Sequence, residues 1–545
     1  MERKRIRRIR RGRAVVTATL TVVLAVPGGR ATSQEIEYPA GFDEEATYYP
    51  EALGPLTRAV TTNSSRAQMF FDQGLQMMYA FTPLRAARSF RQAQREDPDC
   101  AMCFWGEAWA WGPYFNGPMG PGDAPRAYER IRMAKALAGD HANDVERALI
   151  EAMAARYEPE HDDDTRKMLD SAYARAMAEV YERFPDDLDV ATVYGEALML
   201  IEPRLGRWDI GKPAVKKIHA VLEGVLAVDI GHPGACHLYV HATEPTTEPE
   251  KAEACADHLG DAIPGASHIQ HMPSHTYNRI GRWGDAVRAN LAAWHTDLRA
   301  GEDLAWAIYP SHNLQMLLFA ASMDGQGAIA IQAAKDYGAI VPGGAFYHAL
   351  ALLRFGRFDE ILELDDPPDG LIQRGFWDFA RGYAYLRSKE PGRASVYLEK
   401  VRRAADNADE DENFRLHPAT DLLGVVAGIL EGEILRHEGA NERAVSVLEE
   451  AIALEDGLRY DEPEPLNFSA RHWLGDLLLD MERHDKAEAV FRAALEDHPM
   501  NGWSLFGLEA ALRARDEDTK ADEVHVLLQE SWARSDTWIR GSVFQ

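Results

Sequence analysis

At 545 residues, with 46% hydrophobic side chains, the chain is too long for one compact core and too apolar for global disorder. Its formal net charge of −28 argues against nucleic acid and anionic lipid as partners, since both repel an acidic surface. The same charge draws cations toward any enclosed groove.

The first element is a leader. Arg3, Lys4, Arg5, Arg7, Arg8, Arg10, Arg11 and Arg13 precede an apolar run over 14–26, and Ala31, Thr32 and Ser33 supply small residues for cleavage. This order predicts a signal peptide over 1–33 and an exported protein, periplasmic or extracellular, with no membrane insertion once the leader is gone. An uncleaved anchor is the alternative, although the apolar run is short for a bilayer. The arginine pairs leave both general and twin-arginine export open. Residues 34–60 form a poorly patterned lead-in.

From residue 61 onward the chain repeats itself. Gly74, Ala86, Phe90, Ala93 and Pro98 return with the same spacing as Gly475, Ala487, Phe491, Ala494 and Pro499. Partial copies join Gly382 to Ala394 and Gly432 to Ala444. Small residues let paired helices approach, the aromatic fills the wedge between hairpins, and proline stops the second helix. The pattern resembles the tetratricopeptide repeat (TPR), a helix–turn–helix unit of about 34 residues. The fold class is therefore all-α: a TPR-like, right-handed superhelical α-solenoid of roughly nine or ten hairpins, continuous over 61–545. Longer connections over 112–125, 202–213, 365–370 and 405–418 are positioned to form loops over its concave face.

In the second hairpin, Cys100 and Cys103 open a helix that carries Trp105 and Trp109. The cysteines can form a structural disulfide or act in thiol redox exchange. The repeat register turns both tryptophans inward, where they can wall the groove together with Asn116.

The densest chemistry lies within 232–316. His237, His241 and Glu244 fall at positions 5, 9 and 12 of one repeat, and His268, His271 and His275 at positions 2, 5 and 9 of the next. At about 100° per residue these positions share one face, turned away from the partner helix and toward the concave groove. His312 takes position 2 of a third repeat, and Asn278, Arg279 and Asn313 stand nearby. With 19 histidines in 545 residues, composition alone does not account for this clustering. Pro273 either kinks the helix bearing these histidines or begins a new one, which would leave His268 and His271 on the entering segment.

Imidazole and carboxylate donors from adjacent helices suit zinc, copper, iron or manganese, and seven candidates exceed a single tetrahedral shell. Two readings follow. In one, the groove binds a transition metal through His237, His241, Glu244, His268, His271, His275 and His312, and supports hydrolysis or oxidation. In the other, a non-enzymatic scaffold captures a peptide, partner protein or small molecule in the same groove.

The segments DPDCAMCFWGEAWAWGPYFN, GACHLYVHATE, SHIQHMPSHTYNRIGRW, YPSHNLQ and HPMNGWSLFGLEAAL resemble a group of bacterial exported TPR proteins. The resemblance implies an all-helical repeat fold and no particular activity. Where such proteins often carry a second histidine after the His-Asn pair, this chain has Gln315.

Overall fold

The computed structural model describes residues 36–301 and 305–545, so the leader expected over 1–33 lies outside the described residues. Pro39–Gln545 form one compact unit. It is helical from Ser65–Tyr79 to Asp518–Ser531, with a two-residue antiparallel pairing of Asn413–Phe414 and His417–Pro418. None of the described helices is long and apolar enough to cross a membrane.

Successive helices pack on one another as twelve hairpins among the described residues, more than the nine or ten expected. The pair led by Asp144–Ala154 lacks the pattern, and its first helix contains no glycine. Where the pattern is full, its physical role is plain. A Cβ on Gly74 would stand 2.7 Å from the Phe90 ring, and one on Gly106 of the next hairpin 2.5 Å from the same ring. Phe491 is held in the same way between Gly475 and Gly507. Each aromatic thus locks two neighbouring hairpins, and truncating such a ring costs about 3–5 kcal/mol.

The lead-in residues from Pro39 onward are irregular but seated. The side-chain amides of Gln73 and Gln76 hold Tyr49, Gly54 and Leu56 through backbone hydrogen bonds of 2.7–2.9 Å.

Three of the four connections expected over the concave face reach it, and the groove is covered. The carboxyl-terminal residues fold back onto the middle of the array. Trp283 Nε1 donates to the Pro499 carbonyl, Trp503 Nε1 donates to the Ser322 carbonyl, and Arg534 pairs with Asp324, each at 2.8 Å. Loops cover the face where the histidines lie: Phe115 from one connection, Arg204 from a second, Arg415 from a third, and Tyr460 to Glu462 from a fourth that the repeat pattern did not mark. The connection over 365–370 stays outside, pinned by Arg381 to the Leu364 carbonyl at 2.6 Å. Groove positions in this chain therefore become buried ones, because the molecule's own loops occupy the concavity.

Candidate metal centre

The helix Pro233–Thr243 presents His237 and His241, with Glu244 as its C-cap. Its start is set by Pro233 and by His232, whose Nδ1 accepts a hydrogen bond from Ala235 N at 3.1 Å. In the next repeat Pro273 divides the first helix into Ser267–His271 and Pro273–Ile280. Met272 N still donates to the His268 carbonyl at 2.9 Å, so the residues before the proline remain helical. Proline opens a new helix without removing His268 and His271 from the face that His275 shares. His312 enters at the start of Pro310–Met323.

Six imidazoles meet in two trios. The ligand nitrogens of His237, His241 and His268 lie within 4.8 Å of one another, as do those of His271, His275 and His312. His237 Nε2 stands 3.2 Å from His268 Nε2, His271 Nε2 2.8 Å from His275 Nε2, and His312 Nε2 3.5 Å from His275 Nε2. Metal–nitrogen bonds of about 2.0–2.1 Å separate two donor nitrogens by roughly 2.9 Å at a right angle and about 3.4 Å at the tetrahedral angle. The observed separations span that range. A third grouping joins His275 to Glu244 and Glu462, with His275 Nδ1 2.9 Å from Glu244 Oε2 and 3.9 Å from Glu462 Oε2.

Surrounding groups set the tautomers. The Tyr79 carbonyl lies 2.6 Å from His237 Nδ1, so that nitrogen donates and Nε2 carries the lone pair. Asn290 Nδ2 donates to the Ala286 carbonyl at 2.9 Å, which turns Asn290 Oδ1 to accept from His271 Nδ1 at 2.6 Å. The Nε2 lone pairs of His237 and His271 consequently point inward.

The first five histidines of the cluster are at most 3% exposed, and His312 is half-buried. Burial pushes His237 down to about 3, and it holds His241, His268, His271 and His312 well below the usual imidazole value, helped by the neighbouring histidines. Burial also opposes charge on His275, but the Glu244 and Glu462 carboxylates outweigh it and raise its pKa. Five imidazoles are therefore kept neutral, the state a metal requires. The buried Nε2 of His241 and Nδ1 of His268 have no hydrogen-bond partner.

Beside the cluster lies a cavity of about 340 Å³, lined by His241, His268, His275, His312, Tyr309, Asn116, Arg204, Arg415 and Glu462. Asn116 Oδ1 accepts from Arg204 Nε at 3.0 Å. Asn278 and Arg279 border adjoining space beyond Tyr460 rather than this cavity. Asn313 is buried in a structural role, donating to Asp297 Oδ2 at 2.7 Å and to the Ile308 carbonyl.

The tryptophan expectation is corrected as well. Trp105 Nε1 donates to the Leu149 carbonyl and Trp109 Nε1 to Glu196 Oε2, so both rings are committed between hairpins. Trp109 reaches only a narrow crevice beside His237. The aromatic wall comes instead from Phe81, 4.1 Å from the His237 ring and stacked on His241 at 5.7 Å, and from Phe115, 5.2 Å from His241. Tyr309 meets His268 edge-on at 5.1 Å.

Phe81 had a signal in the sequence. It occupies the left-handed turn position, φ 57°, that is filled by Gly281, Gly325, Gly356 and Gly439 and elsewhere by the polar Lys389, Glu482 and Asp516. A bulky aromatic there strains the backbone, and its ring covers three histidines. Glu462 and Arg204 had no such signal.

Cys100 and Cys103 are joined as a disulfide at the start of Ala101–Ala110, and Cys236 is bonded to Cys255. Neither pair reaches the histidines' ligand nitrogens.

No curated protein matches the chain in sequence. Among solved structures it is similar to the human IFIT1 dimer with m7Gppp-AAAA, at 11% identity over 87% of this chain and 92% of that one, with a TM-score of 0.31. It is similar to the P58(IPK) TPR domain at 13% identity, covering 83% and 99% of the two chains, with a TM-score of 0.23. A structure of Naa15/Naa10 bound to HypK-THB matches at 14% identity over 86% and 79%, with a TM-score of 0.20. Residues 468–496 match the tetratricopeptide-repeat family, and the chain is an all-α repeat protein containing at least that one such unit.

Proposed function

We propose that this chain is an exported repeat protein whose buried histidine cluster binds a transition metal and admits a small molecule to it for hydrolysis or oxidation. The carrying observation is the 2.8 Å separation of His271 Nε2 and His275 Nε2, with the His271 proton already committed to Asn290. That short approach is bridged either by an N–H···N hydrogen bond from His275, whose Nδ1 faces Glu244, or by a metal ion. A proton can bridge two imidazoles, but it leaves the buried Nε2 of His241 without a partner. A metal ion satisfies three at once.

Two supports bear on the rest of the reading. Both disulfides suit an oxidising compartment, in keeping with the basic leader. The cavity volume of about 340 Å³ falls in the range of small-molecule sites. The second reading, capture of a peptide or partner protein, draws on the repeat scaffold itself and requires the covering loops to move aside.

Elemental analysis of the purified protein tests the first reading. It predicts stoichiometric transition metal, lost in His241→Ala/His275→Ala while the helical circular dichroism is retained. Absence of metal in the wild-type protein, even after reconstitution, would leave the scaffold reading standing.

A further inference from the structure

We infer that the cluster is a paired copper centre, one ion held by His237, His241 and His268 and a second by His271, His275 and His312. This rests on the metal-binding reading and adds the number of ions and their chemical class.

The count follows from geometry. Each trio gathers its ligand nitrogens within 4.8 Å, the scale of one coordination shell, and six nitrogens exceed a four-coordinate site. Rings of different trios stand side by side, His268 and His271 with centroids 5.7 Å apart, His241 and His275 at 5.9 Å. Glu244 and Glu462 face His275 at Nδ1, whereas its neighbours His271 and His312 meet it at Nε2. The carboxylates therefore polarise one ligand of the second ion rather than complete its shell.

The class follows from donor chemistry and charge. Both trios are purely imidazole, without thiolate and without carboxylate among the six donors. Imidazole suits copper, zinc, iron and nickel, and at equal availability copper binds nitrogen donors most tightly of the divalent series. A pair of divalent zinc ions would bring four positive charges into a buried site. The nearest carboxylates are Glu244 and Glu462, and Glu462 already faces Arg204 at 3.5 Å. Copper can occupy three-nitrogen sites as the monovalent ion, which halves the charge to be buried and needs no fourth protein ligand.

The experiment is a competition. Metal-free protein is equilibrated with equal excesses of zinc(II) and of copper(I), kept reduced by ascorbate without oxygen, then desalted, and its metal is counted per chain by mass spectrometry. The expected result is two copper ions per chain, with copper exceeding zinc at least tenfold. His241→Ala and His312→Ala should each retain one copper with unchanged helical circular dichroism. Zinc in preference to copper, or a single ion per chain, overturns the copper pair and leaves metal binding intact. No retained metal overturns both. Should a variant fail to fold, the wild-type count and preference still decide.

Discussion

His271 and His472 hold the same place, position 5, in the first helices of their repeats, and both are buried. They have opposite surroundings. His472 Nδ1 lies 3.2 Å from Arg354 Nη2 and 3.4 Å from Ser469 N, and its Nε2 lies 3.1 Å from Ser504 Oγ. Both of its nitrogens are satisfied by groups of other kinds. His271 spends Nδ1 on Asn290 and turns Nε2 toward His275, with His312 beside them. Repeat register directs a side chain to the concave face, and what the next repeat places opposite decides whether it is a packing group or a ligand. At position 5 of the second hairpin, Trp105 gives a third outcome, an indole committed to a backbone carbonyl.

The sharpest way to break this contrast is mutation at the two positions. His271→Ala should remove one of the two bound ions, measured by elemental analysis, whereas His472→Ala should leave the metal content unchanged. A smaller effect is expected one layer out. Asn290→Ala leaves all six imidazoles but frees the His271 tautomer, and metal affinity measured by chelator competition should fall about 10–100-fold.

His472→Ala should instead lower stability in chemical denaturation by about 2–3 kcal/mol, because it leaves the buried Arg354 guanidinium without its imidazole partner. Phe491→Ala, in the same repeat, should cost about 3–5 kcal/mol without altering metal content.

The gentlest probe is pH, applied to metal-free protein. His237 titrates near 3 when folded and at the ordinary 6.5 when unfolded. Its folded value is depressed, so the associated stability is present above pH 6.5 and lost as pH falls toward 3. His241, His268, His271 and His312 add to the same sign, and His275, raised by its carboxylates, opposes it. The melting temperature should therefore decline across this window. Because His472 is also held low, His472→Ala should flatten part of the decline.

Much of the molecule was legible from residue spacing. Glycine, alanine and phenylalanine at fixed intervals report hairpin packing directly, because each hairpin meets its neighbour in the same way. The positions of His237, His241, His268, His271 and His275 identified a common face, and His312 joined them, since helical periodicity carries direction as well as structure. Local chain geometry could also have marked Phe81, an aromatic at a turn position that other repeats give to glycine or a polar residue.

What spacing could not reveal was who stands opposite. Glu462 reaches the cluster from a loop 258 residues beyond its partner Arg204, and Arg415, Phe115 and Tyr309 arrive from separate connections. Loops carry no repeat period, so their landing points depend on the path of the whole array and on the carboxyl-terminal return that anchors it. By itself the sequence determined the repeated hairpin and the direction of its histidines, because those depend on neighbours a few residues or one repeat away. Only the tertiary structure decided that the groove is roofed and its imidazoles are buried and held neutral. Burial is a property of everything packed around a residue, not of its position along the chain.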